Sequence, residues 1–166
     1  MTVFAPVPAS APTTASGSDE SFRWVAYCDG SAVPNPGRMG LGAVLVGPDG
    51  TRHTVSRATG TSGCNNEAEL RALTTALHEM RARGATTLLV HCDNAIVVEQ
   101  LCGAAFKPVA RLAGLFDEAR ALLGSFDSVT LKWIPRHRNG EADALARAAL
   151  GIAPKSDIAS SRKRRR

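Results

Sequence analysis

Apolar and polar positions set out the elements of this chain before any chemistry is considered. Residues 23–29 end a β-like run, FRWVAYCD, on an acid. Residues 40–46 (GLGAVLV) read as a second strand, Pro48-Asp49-Gly50 as a turn, and residues 51–59, with Thr54, Val55 and Ser56, as a third strand. Three strands joined by short turns make an antiparallel meander. The period then changes: Leu70, Leu73, Leu77 and Met80 recur at helical spacing, and Gly84 stops that helix. Residues 86–93 (TTLLVHCD) form an apolar run suited to a strand buried on both faces. A short helix over 95–101 follows. Pro108 opens another, with Leu112, Phe116, Ala119 and Leu123 on one face. Residues 128–134 (SVTLKWI) make the fifth strand, and Asn139 can cap a last helix bearing Ala142, Leu145, Ala146 and Ala149. The order βββαβααβα predicts an α/β fold, a five-stranded mixed sheet flanked by helices.

Composition narrows this picture. A chain of 166 residues, 44% apolar, is long enough to bury one core. No apolar run approaches 18 residues, and the N-terminal stretch lacks a basic segment before an apolar one. Neither a membrane span nor export is expected, and the location expected is cytoplasmic. Residues 1–20, rich in Ala, Pro, Ser and Thr, read as a disordered leader, 21–152 as the folded domain and 153–166 as a disordered tail. The net charge of +5 belongs to that tail: residues 155–166 hold six Lys/Arg against one Asp, which leaves fourteen charges of each sign elsewhere. Such a tail is expected to contact nucleic-acid phosphates. The four cysteines, Cys28, Cys64, Cys92 and Cys102, lack the spacing of a zinc site and are expected to be reduced.

The acids then stand out. Asp29 and Asp93 end two apolar strands, Glu69 lies near the start of the first helix, and Asp143 lies in the first turn of the last. If the two strands are parallel neighbours, four carboxylates from four elements converge at one edge of the sheet. Like charges packed together raise one another's pKa. A divalent cation resolves the repulsion, and oxygen ligands without thiolates select Mg²⁺ or Mn²⁺. Two ions about 4 Å apart could activate a water and stabilise a leaving oxygen in phosphodiester hydrolysis. By alternation, Cys28 and Cys92 would lie close together on the opposite face of the sheet, with no disulfide expected.

Four blocks recur in order: Asp29-Gly30-Ser31 with Asn35-Pro36-Gly37, then Asn65-Asn66 with Glu69-Leu70, then Cys92-Asp93-Asn94, then His137, Asn139, Ala142, Asp143, Leu145 and Ala146. Together they resemble type 1 ribonuclease H over roughly residues 22–150. That resemblance implies endonucleolytic cleavage of the RNA strand of an RNA–DNA hybrid, leaving 5′-phosphate and 3′-hydroxyl ends. It implies Asp29, Glu69, Asp93 and Asp143 as metal ligands, with Asp29 bridging two ions. His137 would assist proton transfer or product release. Asn35, Asn65 and Asn66 would read the 2′-hydroxyl, with Ser31 and Asn139 among the substrate contacts. Gly30 would let the backbone approach the RNA strand. Glu67 reads as a surface residue. A monomer is expected.

Departures from the family pattern concern grip on the substrate. Cys64 stands where many members have Thr, and Ala95 where many have Gln. The segment after Asp93 lacks the basic, Trp-bearing handle of longer members, and Phe106 could supply a stacking surface. A hybrid- or duplex-RNA-binding module that does not cleave is the main alternative. A metal-dependent 3′→5′ exonuclease, or a detached domain of a reverse transcriptase, are others.

Overall fold

The computed structural model describes residues 2–4, 20–103 and 110–153, the first three as backbone only. Its strands are β1 (Thr2–Phe4), β2 (Trp24–Val33), β3 (Gly37–Val46), β4 (Arg52–Gly63), β5 (Thr87–Cys92) and β6 (Ser128–Trp133). Its α-helices are α1 (Asn65–Ala82), α2 (Ala95–Cys102), α3 (Ala113–Gly124) and α4 (Gly140–Ala149). One sheet takes the order β1-β6-β5-β2-β3-β4. The meander β2–β3–β4 is antiparallel, while β2, β5 and β6 run parallel. The expected α/β order is therefore present in full.

One expectation is corrected at the N-terminus. Thr2 to Phe4 pair antiparallel with residues 131 to 129, adding a sixth strand where a disordered leader was expected. The sequence TVF is β-prone and lies beside an otherwise unpaired edge. Residues 20–22 form a 3₁₀ turn. The rest of the leader (5–19), the segment with Phe106 and Pro108 (104–109) and the basic tail (154–166) lie outside the described residues.

The core is one apolar layer between the sheet and α1 and α3. Ala26, Leu45, Leu88, Val90 and Leu131 of the sheet meet Leu70, Leu73 and Leu77 of α1, and Phe116 and Leu123 of α3. The helical spacing of the α1 leucines puts them on its buried stripe. Cys64 caps that helix, its Sγ accepting from Glu67 N at 3.4 Å. Gly84 takes the left-handed φ of +81° beyond its last turn. No described helix is long and apolar enough to cross a membrane.

The helix α4 packs on the opposite face, against β2, β3 and β4. Its approach depends on the alternation in Gly40-Leu41-Gly42. Leu41 points into the core, while a Cβ on Gly40 or Gly42 would overlap the α4 backbone at Ala146 or Ala142. On the α1 face, a Cβ on Gly30 would overlap the backbone of Ala68 and Glu69. Gly30 was expected to make room for RNA. It is buried, and the group it makes room for is α1.

Gly30→Ala should therefore destabilise the fold by about 3 kcal/mol, because backbone cannot yield as a side chain can. Gly114→Ala in α3, where a Cβ meets nothing within 4 Å, should be neutral or stabilising. Urea unfolding of both variants checks the contrast. Equal effects would refute the packing account.

Candidate active site

The last residues paired between β2 and β5 are Cys28 and Cys92. Beyond that pair, β5 stops and α2 begins, whereas β2 continues to Val33 against β3. Asp29 is thus not the end of its strand, as the sequence suggested. It is the first residue of β2 without a parallel partner, and the edge left open beside it is where Asp93 turns in. Gly42 lies level with Asp29 on β3, so the close seat of α4 there brings Asp143 to Asp29. The close seat of α1 on Gly30 does the same for Glu69.

One carboxylate oxygen from each of Asp29, Glu69 and Asp93 lies within 4.8 Å of the others. Asp143 joins through a carboxyl–carboxyl hydrogen bond to Asp29. Asp29 and Glu69 are 5% exposed and Asp93 9%, so water screens them little. Burial, reinforced by the charges of Asp93 and Asp143, pushes Asp29 from 3.8 up to about 7, although a hydrogen bond from Glu69 offsets part of this. Burial likewise holds Glu69 well above the usual carboxylate range, with the nearby Cys92 thiol and Asp29 adding to it. Glu69 Oε2 is buried without a hydrogen-bond partner among the described residues. An all-oxygen donor set, crowded, protonated at cost and with one orphaned oxygen, fits a hard divalent cation.

Behind the acids, Cys28 and Cys92 are fully buried, as strand alternation predicts. The Cys28 hydrogen bond and burial push the Cys92 thiol up. Asn139 was expected both to cap α4 and to organise the turn that carries Asp143, and it departs from the first of these. It precedes α4, but its side chain makes no cap and is only 2% exposed. Nδ2 donates instead to Asp93 Oδ2 at 2.8 Å and to Cys28 O at 2.9 Å, while the backbone carbonyl accepts from Asp143 N at 3.1 Å. A side chain so engaged braces the acids, and it is not among the residues that line the cleft beside them. Trp133 adds a tie from β6, its Nε1 donating to Asp93 O at 3.1 Å.

The acids open into a cleft of about 550 Å³. Gly30, Ser31, Asn35, Asn65, Asn66 and His137 line it, as the sequence suggested, with His137 exposed on the 3₁₀ turn Arg136–Arg138. Asn94 and Arg136 line it too and were missed. Asn94 had a readable signal, since Asn before an apolar helix is a capping residue, and its Oδ1 accepts from Val97 N. The asparagines are locked by their oxygens. Asn35 Oδ1 accepts from Asn65 N, Asn65 Oδ1 from Ala32 N, and Asn66 Oδ1 from Asn94 Nδ2. Their own NH₂ groups have no protein acceptor among the described residues, so this wall presents donors. Glu67 stays outside the acidic group and faces Arg71 at 3.8 Å.

A family model described as reverse transcriptase-like matches residues 27–149. The chain is 37% identical over 140 residues to Ribonuclease HI of Halobacterium salinarum, covering 81% of this chain and 68% of that protein. It is 35% identical over 143 residues to a bifunctional protein of Mycobacterium tuberculosis, covering 82% of this chain but only 38% of that relative's length. Among solved structures, RNase H1 of Halobacterium salinarum superposes with a TM-score of 0.73 at 36% identity, covering 78% of this chain and 98% of that one. LC11-RNase H1, isolated from compost and crystallised with an RNA/DNA hybrid, superposes at 0.68 with 27% identity, covering 77% and 96%.

The raised pKa of Asp29 fixes the sign of a pH effect. Between pH 3.8 and about 7 the folded state binds more protons than the unfolded chain. The stability this contributes is complete below 3.8 and is lost as pH rises through 7. Metal-free protein should therefore lose on the order of 3 kcal/mol between pH 4 and pH 8 from this group. Asp29→Asn should flatten that dependence, as read by thermal unfolding in EDTA. A variant that follows the parent across the range would contradict the assignment.

Proposed function

The chain belongs to the type 1 ribonuclease H family, and on that premise we propose that it hydrolyses the RNA strand of RNA–DNA hybrids internally. The observation that carries this reading is the group of buried carboxylates at the floor of a cleft walled by amide donors. A module that only bound nucleic acid would gain nothing from concentrated negative charge facing phosphates.

Asp29, Glu69, Asp93 and Asp143 are the residues that would hold Mg²⁺ or Mn²⁺, as two ions. Divalent cations bound there supply charge neutralisation at the phosphate and an acidified water. The chain's own groups do the rest. The free NH₂ groups of Asn35, Asn65 and Asn66 donate to 2′-hydroxyl and phosphate oxygens of the bound strands, which separates RNA from DNA by an acceptor that only RNA carries there. Ser31 adds a hydroxyl beside them. Asn139 holds Asp93 Oδ2, leaving Oδ1 for other partners. His137, exposed at the rim, exchanges the proton with solvent. Water oxygen bonds to phosphorus and the P–O3′ bond breaks, so one fragment keeps a 3′-hydroxyl and the other a 5′-phosphate. The basic tail adds phosphate contacts that the short segment after Asp93 does not supply.

Purified protein with body-labelled hybrid should give internal RNA cuts in Mg²⁺ or Mn²⁺ and none in EDTA. Asp93→Asn should reduce the rate by about 10³-fold or more, the scale of several kcal/mol of lost charge stabilisation. His137→Ala should lower kcat by about 10²-fold with little change in KM. Uncut hybrid in both metals, or release of mononucleotides alone, would overturn the reading. Separately, removing residues 155–166 should raise KM at fixed salt and flatten the salt dependence. If neither moves, the tail does not contact substrate.

A further inference from the structure

Two arginines flank His137, and they face different hollows. Arg136 lines the catalytic cleft. Arg138 lines a second hollow of about 300 Å³, together with Tyr27, Val44, Asn139 and Glu141. Asn139, braced against Asp93, stands between the two.

The second hollow opens on the sheet face that carries α4. Across that face Tyr27, His91 and Lys132 lie level on β2, β5 and β6, and residues level with one another point the same way. The Tyr27 ring stacks on His91, with centroids 4.3 Å apart. The helix α4 packs on β2, β3 and β4, which leaves β5 and β6 beyond it. There Leu89 and Thr130 are half-buried and Lys132 is exposed.

Charge sets this edge apart. Arg52, Arg57, Arg71, Arg83 and Arg120 each meet a carboxylate. Arg38, Arg81 and Arg147 meet no carboxylate but donate to other oxygens, whereas Lys132, Arg136 and Arg138, like Arg111 before α3, have no side-chain partner among the described residues. Glu141 borders the same hollow as Arg138, but Arg52 holds it at 2.6 Å. Three unpaired cations between positions 132 and 138 repel one another, and a polyanion running past them relieves that repulsion. The track is continuous with the cleft through Arg136. Lys132 lies two residues short of the level of Asp93 and one strand across, about 7 Å along and 5 Å aside. That is the reach of the next phosphate or two of a strand leaving the carboxylates. A stiff duplex cannot turn from the cleft onto the sheet face within that distance, whereas a single strand can.

We propose that Arg136, Arg138 and Lys132 form an exit track for single-stranded RNA, which runs beyond the hybrid and lies against the face of β5 and β6 that no helix among the described residues covers. The proposal rests on the hybrid-cleaving reading above.

The test compares a blunt hybrid with hybrids of the same sequence carrying a single-stranded RNA extension at the 5′ or the 3′ end. The protein with its native residues should show a KM several-fold lower for one extension. The salt slope should steepen by about one per added phosphate contact. Lys132→Glu/Arg138→Glu should abolish that gain and leave kcat and KM on the blunt hybrid within about twofold. Fluorescence anisotropy of the same labelled duplexes in EDTA reads the track independently of cleavage. If the blunt hybrid binds but is never cut, the nuclease reading fails while the track is still measured. The track is refuted if neither extension tightens binding, or if the double variant weakens blunt and extended hybrids equally.

Discussion

Everything at the cleft depends on how closely two helix backbones approach β2. Gly30 admits α1 on one face, and Gly42, level with Asp29 on β3, admits α4 on the other. With a Cβ at either place the helix would stand off, and its acid would move away from Asp29. The central carboxylate is thus flanked by a helix on each face of the sheet, one seated on Gly30 of its own strand and one on Gly42 beside it. Apolar packing of α1 and α3 on the sheet provides the force that holds this arrangement, because the acids themselves oppose it.

That opposition explains the polar devices around the site. Glu69 donates to Asp29, and Asn139 donates to Asp93. Neither is a positive charge. The structure relieves part of the crowding with hydrogen bonds and raised pKa values, and what remains is compatible with a bound cation. Arg136 lines the cleft but is exposed and pairs with none of the acids among the described residues. The donor wall follows the same principle. The Oδ1 atoms of Asn35, Asn65 and Asn66 are tied to backbone or to another amide, so their NH₂ groups are held in fixed orientations at the cleft wall.

The sequence was most legible where one period or one residue type decides the outcome. Alternation and helical spacing gave the order of strands and helices, and the acids at strand and helix ends were visible as a set. Less legible were features that depend on what lies across the fold. β2 runs four residues past Asp29 because β3 pairs with it there, which no local signal announces. Gly30 looked like a residue kept small for a ligand, since sequence cannot distinguish a nucleic-acid backbone from a helix backbone. Asn139 has the appearance of a cap, yet Asp93 and Cys28 lie within its reach and compete successfully for its amide. Arg136 is an ordinary arginine until the turn at residues 136–138 aims it into the cleft.

The bond from Trp133 Nε1 to the carbonyl of Asp93 has an optical consequence. The chain has two tryptophans. Trp24 stacks on His53 at 6.0 Å near the start of β2, away from the acids. Trp133 is half-exposed, with its indole nitrogen tied to the residue whose side chain faces the cleft. A shift of Asp93 alters the polarity felt by that ring and hence the colour of its emission. The protein therefore carries an intrinsic fluorophore tied to the backbone of one acid of its own centre, which can be read without a label.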